Sequence, residues 1–345
     1  MSGKNEADHD NLLPRETSVL FGHADAEQAL LASYKNGRIP HAWLIGGSPS
    51  IGKATLAYRL ARFVFAHPDP KSPEVQAATS LAIDPEHPVA RRIAAQAQND
   101  LLVLERVVNE KTGKLFTAIR VEDVRRTVSF FGSTASEGGW RIAIVDVIDD
   151  LQSEGANALL KVLEEPPRRT LLLLLSHSPG RELPTIRSRC RRLLLRPLDR
   201  ADVARAAAIA TGRDEEDPEL LEAASAAGGS VGRALALLDG AALAMRQRVV
   251  DLLAQLPDPD VRALHSLGDA IGGTDPQTLA NFMDLVNSWL AEQLAGETRP
   301  LSQMVKVSDA WEKVNRVARD AEAYNLDRKP LVFAVFETLA EAVRQ

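Results

Sequence analysis

Apolar residues in the first 200 positions form short continuous runs separated by longer stretches at helical spacing. Continuous apolar runs of this length are typical of strands buried on both faces of a parallel sheet. Stretches such as KATLAYRLARFVFA and SEGANALLKVLEE lie between them and predict covering helices. The runs therefore predict an α/β fold with a parallel five-stranded sheet. They are HAWLIG (41–46), LLVLERV (101–107), RIAIVD (141–146), TLLLLLS (170–176) and RLLL (192–195).

The strand pattern ends at about residue 197, and helical patterns rich in alanine and leucine follow it. Breaks in these patterns predict a small helical domain at 198–242 and a separate helical bundle at 243–345. The final helix has so wide an apolar face that it should pack deep in its bundle or against another subunit. Residues 1–16 are polar and predict a flexible N-terminus, and the proline-rich segment 67–100 predicts a surface insertion.

The amino-acid composition of the chain argues against several classes of protein. The chain has 345 residues, a formal net charge of -6 and a single cysteine, Cys190. One cysteine excludes a disulfide framework and a four-cysteine zinc site, and it favours a reducing cytoplasm. The acidic balance argues against a protein wholly devoted to coating nucleic acid. No apolar run is long enough to predict a membrane span or the core of a signal peptide.

A glycine-rich turn joins the first predicted strand to the next helix. Gly47, Gly52 and Lys53 match the spacing G-x-x-x-x-G-K of a phosphate-binding loop. Ala54 stands where such loops carry the hydroxyl that ligates Mg²⁺, and Thr55 is rotated by about 100° around the helix. The loop therefore predicts phosphate binding by the backbone without metal positioning. A glycine turn with an incidental lysine is the alternative.

The strand RIAIVD supplies the second half of a nucleotide site. It ends in Asp146, which is placed to hold Mg²⁺ through water, although a turn aspartate at a strand end is the simpler interpretation. A hydrolytic site of this kind needs a glutamate next, and Val147 cannot act as a base. The two losses together predict that the chain does not hydrolyse ATP.

An arginine-rich segment, LPTIRSRCRRLLLRPL, occupies residues 183–198. The simplest interpretation of this segment is a set of solvated arginine side chains beside the edge of the sheet. Arg189, however, lies between the small residues Ser188 and Cys190 in a turn after Pro184. A guanidinium projecting from such a turn suits a phosphate on a neighbouring molecule.

Several blocks together resemble the delta-prime family of bacterial DNA polymerase III clamp-loader subunits, which belong to the AAA+ proteins. The blocks are RIPHAWLIGG, GKATLAYRLA, ANALLKVLEEPP, LPTIRSRCR and GGSVGRALAL. The resemblance implies an AAA+ core at 17–197, a lid at 198–242 and a collar at 243–345. It also implies a hetero-pentameric ring with gamma or tau and delta subunits, in which Arg189 enters the neighbour's ATP site. Such a ring loads a sliding clamp on primed DNA in the cytoplasm, at the nucleoid-associated replisome.

The resemblance assigns further residues. Ser176 would be a relic of the first sensor, or simply a strand-end hydroxyl, and Arg233 would be the lid sensor, or a helix-surface charge. Arg125 and Arg126 are candidates for sequence-independent contact with DNA phosphates, or part of an ordinary mixed-charge helix. The zinc module of many members is lacking, so no metal is expected. No cofactor is required, and ATP or ADP with Mg²⁺ remain possible ligands.

The sequence thus favours a non-hydrolysing clamp-loader subunit that donates Arg189 to a neighbouring gamma or tau ATPase. One alternative is a catalytically active AAA+ ATPase subunit of the same ring. Another is a stand-alone nucleotide-binding regulator. The chain itself is expected to have neither polymerase nor ATPase activity, although it would belong to a nucleotidyltransferase complex.

Overall fold

The computed structural model divides the chain into two compact units, Met1–Leu235 and Ala236–Gln345. It describes residues 13–109, 116, 118–132, 139–180, 182–238, 240–272, 276–295, 301–323 and 326–344. Most of the predicted flexible N-terminus, residues 1–12, lies outside these. The predicted boundary at residue 197 falls inside the first unit and stays a prediction.

The first unit is built on a sheet of five parallel strands in the order β2-β3-β4-β1-β5. Every residue of the central strand β4 is buried, because helices cover both faces of the sheet. The predicted α/β fold and its parallel sheet are confirmed. The strands are β1 (Ala42–Gly46), β2 (Leu101–Glu105), β3 (Arg141–Asp146), β4 (Thr170–Ser176) and β5 (Arg191–Leu194).

Ten helices of the described residues begin in this unit. Helix α6 ends at Glu164, just before the Pro166-Pro167 pair, as the sequence predicts. Helix α2 buries Leu56, Leu60 and Phe63 against the sheet. The helices are α1 (Ala24–Lys35), α2 (Lys53–Ala66), α3 (Pro73–Ala77), α4 (Pro88–Ala94), α5 (Val121–Gly132), α6 (Ser153–Glu164), α7 (Pro184–Arg187), α8 (Arg200–Thr211), α9 (Pro218–Ala226) and α10 (Val231–Leu237).

Segment 67–100 is mostly exposed or half-buried, and it is anchored to the core by a few apolar side chains, so its prediction as a surface insertion stays a prediction. Its helices α3 and α4 bring Val75 and Ile93 into the apolar cluster beneath the sheet, together with Leu81 from the loop between them. Each helix is started by a cap and a proline, and the Ser72 hydroxyl accepts from the Val75 amide at 3.3 Å. Helices of five and seven residues are too short to show a period in the sequence.

The second unit is helical, as predicted. Helix α15 packs against α12 and α14 and buries Leu331, Val335, Phe336 and Leu339, so the deep-packing interpretation of the final helix is confirmed. No helix among the described residues is long and apolar enough to cross a membrane. The helices are α11 (Gly240–Ala254), α12 (Val261–Ile271), α13 (Pro276–Ala295), α14 (Leu301–Ala323) and α15 (Arg328–Val343).

Candidate functional site

The phosphate-type loop joins the end of β1 to the start of α2, as its motif requires. Two of its positions need glycine. A Cβ on Gly47 would lie 2.9 Å from the Leu195 carbonyl oxygen, and Gly52 has a φ of 104°, which side chains rarely adopt. Gly52 precedes α2, whose N-terminus has no side-chain cap and no acidic residue in its first turn. Its first amide groups and the positive end of its dipole therefore suit an anion.

Lys53 is almost fully buried at the start of α2, with 4% of its surface exposed. Its Nζ donates to the carbonyls of Gly47 (2.7 Å) and Ser48 (2.6 Å) and contacts His177 Nδ1 (2.9 Å). Burial lowers the pKa of Lys53 to about 8, and the nearby carboxylates of Asp146 and Asp149 oppose that shift. The ammonium is thus held tightly within the loop.

The positions expected to hold a metal are poor in oxygen ligands. Ala54 packs partly buried against the core and offers no oxygen, and Val147, at the position where a base would be needed, is a buried core residue. Asp146 lies at the end of β3, where burial and the nearby Glu105 raise its pKa to about 6, against the attraction of Lys53. Among the described residues, no group of three His, Cys, Asp or Glu side chains could hold a metal ion.

His177 and Asp149 belong to this site, although the sequence did not point to either. His177 follows β4, and the Asp149 carboxylate accepts hydrogen bonds from the backbone amides of His177 (2.8 Å) and Ser178 (3.0 Å). Burial and the adjacent Lys53 lower the pKa of His177. Asp149 is itself exposed, and its carboxylate fixes the turn that carries His177.

Ser176 ends β4 beside the loop, and its side chain turns toward another partner. Its backbone carbonyl accepts from the Gly47 amide at 3.1 Å, whereas its fully buried hydroxyl donates to Glu182 at 2.9 Å. Burial raises the pKa of Glu182, against the effect of this hydrogen bond. The predicted role of Ser176 as a sensor relic stays a prediction.

Helix α10 starts directly over the phosphate-type loop. The Val231 amide donates to the Ser50 carbonyl at 3.0 Å, and the Ser230 hydroxyl donates to the Pro49 carbonyl at 3.1 Å. A Cβ on Gly232 would lie 2.7 Å from the Ser50 side chain, so only glycine allows this approach. Arg233 lies next on the same helix and is half-buried. Its assignment as a sensor stays a prediction.

A cavity of about 420 Å³ lies between the loop, α8 and α10 within the first unit. Its charged and polar lining residues include Lys53, Asp146 and His177, and Gly52, Ala54 and Thr55 also line it. Its apolar lining side chains include Leu20, Phe21, Leu198, Ile209, Val231 and Leu235.

Arg189 lies away from these cavity-lining residues, at the surface turn after α7. Its Nη2 donates to Glu164 Oε1 at the end of α6 (2.9 Å), and its Nη1 donates to the Thr185 carbonyl (2.9 Å). The side chain is 35% exposed and that of Glu164 is 52% exposed. A guanidinium held in this way is oriented and yet reachable from outside.

Arg125 and Arg126 are exposed on α5. Arg126 pairs with Asp123 one turn earlier at 3.6 Å, and its side chain is 69% exposed. An exposed pair of this kind has a small energy, so the arginine can exchange its partner readily. DNA contact by these residues stays a prediction.

Comparison with known proteins places this geometry in a family. Residues 22–199 match the family described as DNA polymerase III, delta subunit. The chain is 37% identical to the DNA polymerase III subunit delta' of Pseudomonas aeruginosa over 165 residues, which are 47% of this chain and 46% of that protein. It is 32% identical to subunit delta' of Escherichia coli over 230 residues, 66% of this chain and 63% of that protein.

A related subunit type matches more of the chain. Identity to the DNA polymerase III subunit tau/gamma of Haemophilus influenzae is 28% over 295 residues, 82% of this chain and 40% of that protein. The matches to all three relatives thus span about half of the relatives' lengths. The family match covers more than half of this chain and includes the sheet, the loop and Arg189. The chain therefore belongs to the DNA polymerase III delta subunit family, and within it resembles the delta-prime subunits.

Proposed function

We propose that this chain is a clamp-loader subunit of the delta-prime type, which does not hydrolyse ATP itself and presents Arg189 to the ATP of a neighbouring gamma or tau subunit. In this role it assembles with gamma or tau and delta subunits into a ring that places a sliding clamp on primed DNA. The observation that carries the proposal is the placement of the Arg189 guanidinium, held at the surface by Glu164 and the Thr185 carbonyl.

The energetics favour transfer of Arg189 from Glu164 to a phosphate. An exposed ion pair contributes about 0–1 kcal/mol, so leaving Glu164 costs little. An arginine supplied in trans accelerates nucleotide hydrolysis by about 10³ to 10⁵, equivalent to about 4–7 kcal/mol of transition-state stabilisation. The Thr185 carbonyl can stay bound to Nη1 during the exchange, which keeps the guanidinium oriented.

The phosphate-type loop of this chain also supports a subunit that does not hydrolyse ATP itself. Ala54 offers no hydroxyl to a metal, and Val147 is a buried apolar residue where a base would be needed. An active ATPase subunit is therefore the weaker candidate. Measurable ATP turnover by the isolated chain would favour it.

The test compares Arg189→Ala with Arg192→Ala in a complex reconstituted with gamma or tau and delta subunits and the clamp. Arg192 is the matched control, because it is exposed on β5 in the same arginine-rich segment. We expect Arg189→Ala to reduce ATP turnover at the adjoining site by about 10³-fold or more and to impair clamp loading. Arg192→Ala should leave both unchanged. Unchanged turnover with Arg189→Ala, in a complex that light scattering shows to be intact, would refute the proposal.

Contact with DNA is a finer part of the proposal. Arg125 and Arg126 are exposed on one helix and can bind phosphates without reading sequence. Replacing both by glutamine in the reconstituted complex should weaken binding of primed DNA most at low salt and equally for unrelated sequences. Binding that keeps the same salt dependence would remove these residues from the DNA surface.

A further inference from the structure

Strand β5 forms one edge of the sheet, and its outer side can accept a further strand. The Leu195 amide just after β5 donates to the Gly46 carbonyl of β1 at 2.8 Å. Because alternate residues of a strand direct their backbone groups to opposite sides, the amides and carbonyls of Arg192 and Leu194 face away from β1. No strand among the described residues pairs with this side of β5.

A second cavity, of about 540 Å³, lies beside the start of β5, next to α1 and the loop that follows it. None of the described residues that line it is acidic. Arg38 and Arg191 line it and are exposed, and neither forms an ion pair with a carboxylate of the described residues. A cavity with two unpaired guanidinium groups suits an anion. Its lining residues are Ala29, Ala32, Ser33, Asn36, Arg38 and Arg191.

An aromatic ring orients the Arg191 guanidinium. Its Cζ lies 5.6 Å from the ring centroid of Trp43, which is 1% exposed on β1. The ring attracts the cation and leaves its N–H groups free to donate to an oxygen ligand. Arg189, two positions earlier, already donates to Glu164. Arg191 is therefore a pre-oriented cation that still lacks an acidic partner within the described part of the chain.

The simpler interpretation of arginines on an edge strand is that they only keep other sheets away. Leu194 argues against protection alone, because its side chain is 66% exposed on the same short strand. A second copy of this chain is a poor occupant, because pairing two β5 edges would bring Arg191 and Arg192 close to like charges. A nucleic acid supplies negative charge but has no peptide groups to pair with the free edge.

We infer that the free edge of β5 and the cavity beside it form a docking site for an extended acidic peptide of a partner protein. The backbone of the peptide pairs with Arg192 and Leu194, and one of its Asp or Glu side chains enters the cavity beside Arg38 and Arg191. In this mode of recognition the main-chain hydrogen bonds give affinity, and the side-chain cavity gives specificity. The inference is independent of the role proposed for Arg189.

Fluorescence anisotropy of the full chain with two fluorescein-labelled octapeptides tests the inference. One peptide alternates glutamate with valine, and the other alternates lysine with valine. We expect the glutamate peptide to bind about 10-fold more tightly or better, with a preference that shrinks as salt is added. Arg38→Gln and Arg191→Gln should each weaken its binding by about 5-fold or more. Arg262→Gln, at an exposed position of the second unit, is the matched control and should leave the affinity unchanged.

Leu194→Pro tests the strand edge separately from the cavity. Proline removes an amide that faces away from β1, so the ladder between β1 and β5 stays intact. This variant should weaken binding of the glutamate peptide by about 5-fold or more, whereas Leu194→Ala, which keeps the amide, should weaken it less. Hydrogen exchange of the Leu194 amide in the original chain gives a measurement without a variant, and this exchange should slow when the peptide is bound.

Five outcomes would overturn the inference. Equal affinity for the two peptides would remove the charge selectivity, and unchanged affinity in both arginine variants would remove the cavity. Unchanged exchange of the Leu194 amide would remove the strand edge. Tighter binding of a labelled octamer of deoxythymidine than of the glutamate peptide would assign the site to nucleic acid. A dimer of the chain that Arg191→Gln abolishes would assign it to a second copy. None of these results would affect the test of Arg189, which reads the turnover of another subunit.

Discussion

Lys53→Met is expected to stabilise the protein. Lys53 is 4% exposed, and burial lowers its pKa from the usual 10.5 to about 8. The charged form of Lys53 therefore destabilises the folded state relative to the neutral form. Methionine has a similar length and carries no charge, so it fills the same space without this cost.

The magnitude follows from the shift in pKa. A folded-state pKa of about 8 against the usual 10.5 corresponds to about 3 kcal/mol, which is an upper limit. In Lys53→Met, the Gly47 and Ser48 carbonyls lose their hydrogen-bond donor. Each lost hydrogen bond reduces the gain in stability by about 0.5–1.5 kcal/mol. We therefore expect the free energy of unfolding to rise by about 1–2 kcal/mol at pH 7.

The lowered pKa of Lys53 also predicts how the stability difference changes with pH. Between about pH 8 and pH 10.5 the unfolded chain binds more protons at residue 53 than the folded chain, so the original protein gains stability as the pH rises. The advantage of Lys53→Met should shrink between about pH 8 and pH 10.5. Asp146 and His177, whose pKa values Lys53 also lowers, titrate below this window, so the comparison is made above about pH 8.

Urea unfolding of the full chain at several pH values measures this difference. Replacing Trp289 and Trp311 by phenylalanine in both proteins leaves Trp43 and Trp140 as reporters of the first unit. Lys71→Met in the same background should change stability by less than about 0.5 kcal/mol. A Lys53→Met variant that is less stable than the original at pH 7, or whose advantage does not change above pH 8, would refute the reasoning.

Three further predictions use the same unfolding assay. Asp146→Asn should stabilise the chain at pH 7, because the raised pKa of about 6 makes the folded carboxylate unfavourable there, and the gain should vanish below about pH 4. A retained gain at low pH would contradict this. Gly229→Ala should destabilise by at least about 2 kcal/mol more than Gly212→Ala. Both glycines have positive φ, but a Cβ on Gly229 would lie 2.5 Å from Pro197, whereas Gly212 has open space, so equal losses would exclude the clash. Leu173→Ala should cost about 2–5 kcal/mol, whereas Leu194→Ala, 66% exposed on an edge strand, should cost less than about 0.5. Similar losses for these two leucines would contradict the observed burial.

The local sequence was sufficient to predict the strands and the character of the loop. Continuous apolar runs have few interpretations other than strands covered on both faces, and all five lie where they were predicted. The glycines of the loop and the missing ligands at positions 54 and 147 are properties of single residues, so no contact is needed to recognise them.

Segment 67–100 shows where local pattern fails. Its two helices span only five and seven residues, so neither completes enough turns to show an apolar period. Their stability comes from burying Val75 and Ile93 in the apolar cluster of the first unit, where α4 packs against α2, and the segment's own composition does not reveal this packing. The sequence therefore did not predict the two helices.

The sequence by itself determined the α/β class, the family resemblance and the loss of the residues that hydrolysis requires. Only the tertiary structure decided the strand order, the hydrogen bond between Lys53 and His177, and the ion pair between Arg189 and Glu164. Lys53 and His177 are 124 positions apart, and Arg189 is 25 positions from Glu164. The physical reason is that a parallel sheet gathers the carboxyl ends of its strands at one edge, where Lys53 meets His177, and their amino ends at the other, where Glu164 and Arg189 precede β4 and β5, only after the crossover helices have packed. Contacts made at these edges depend on the folded topology, which no local run of residues encodes.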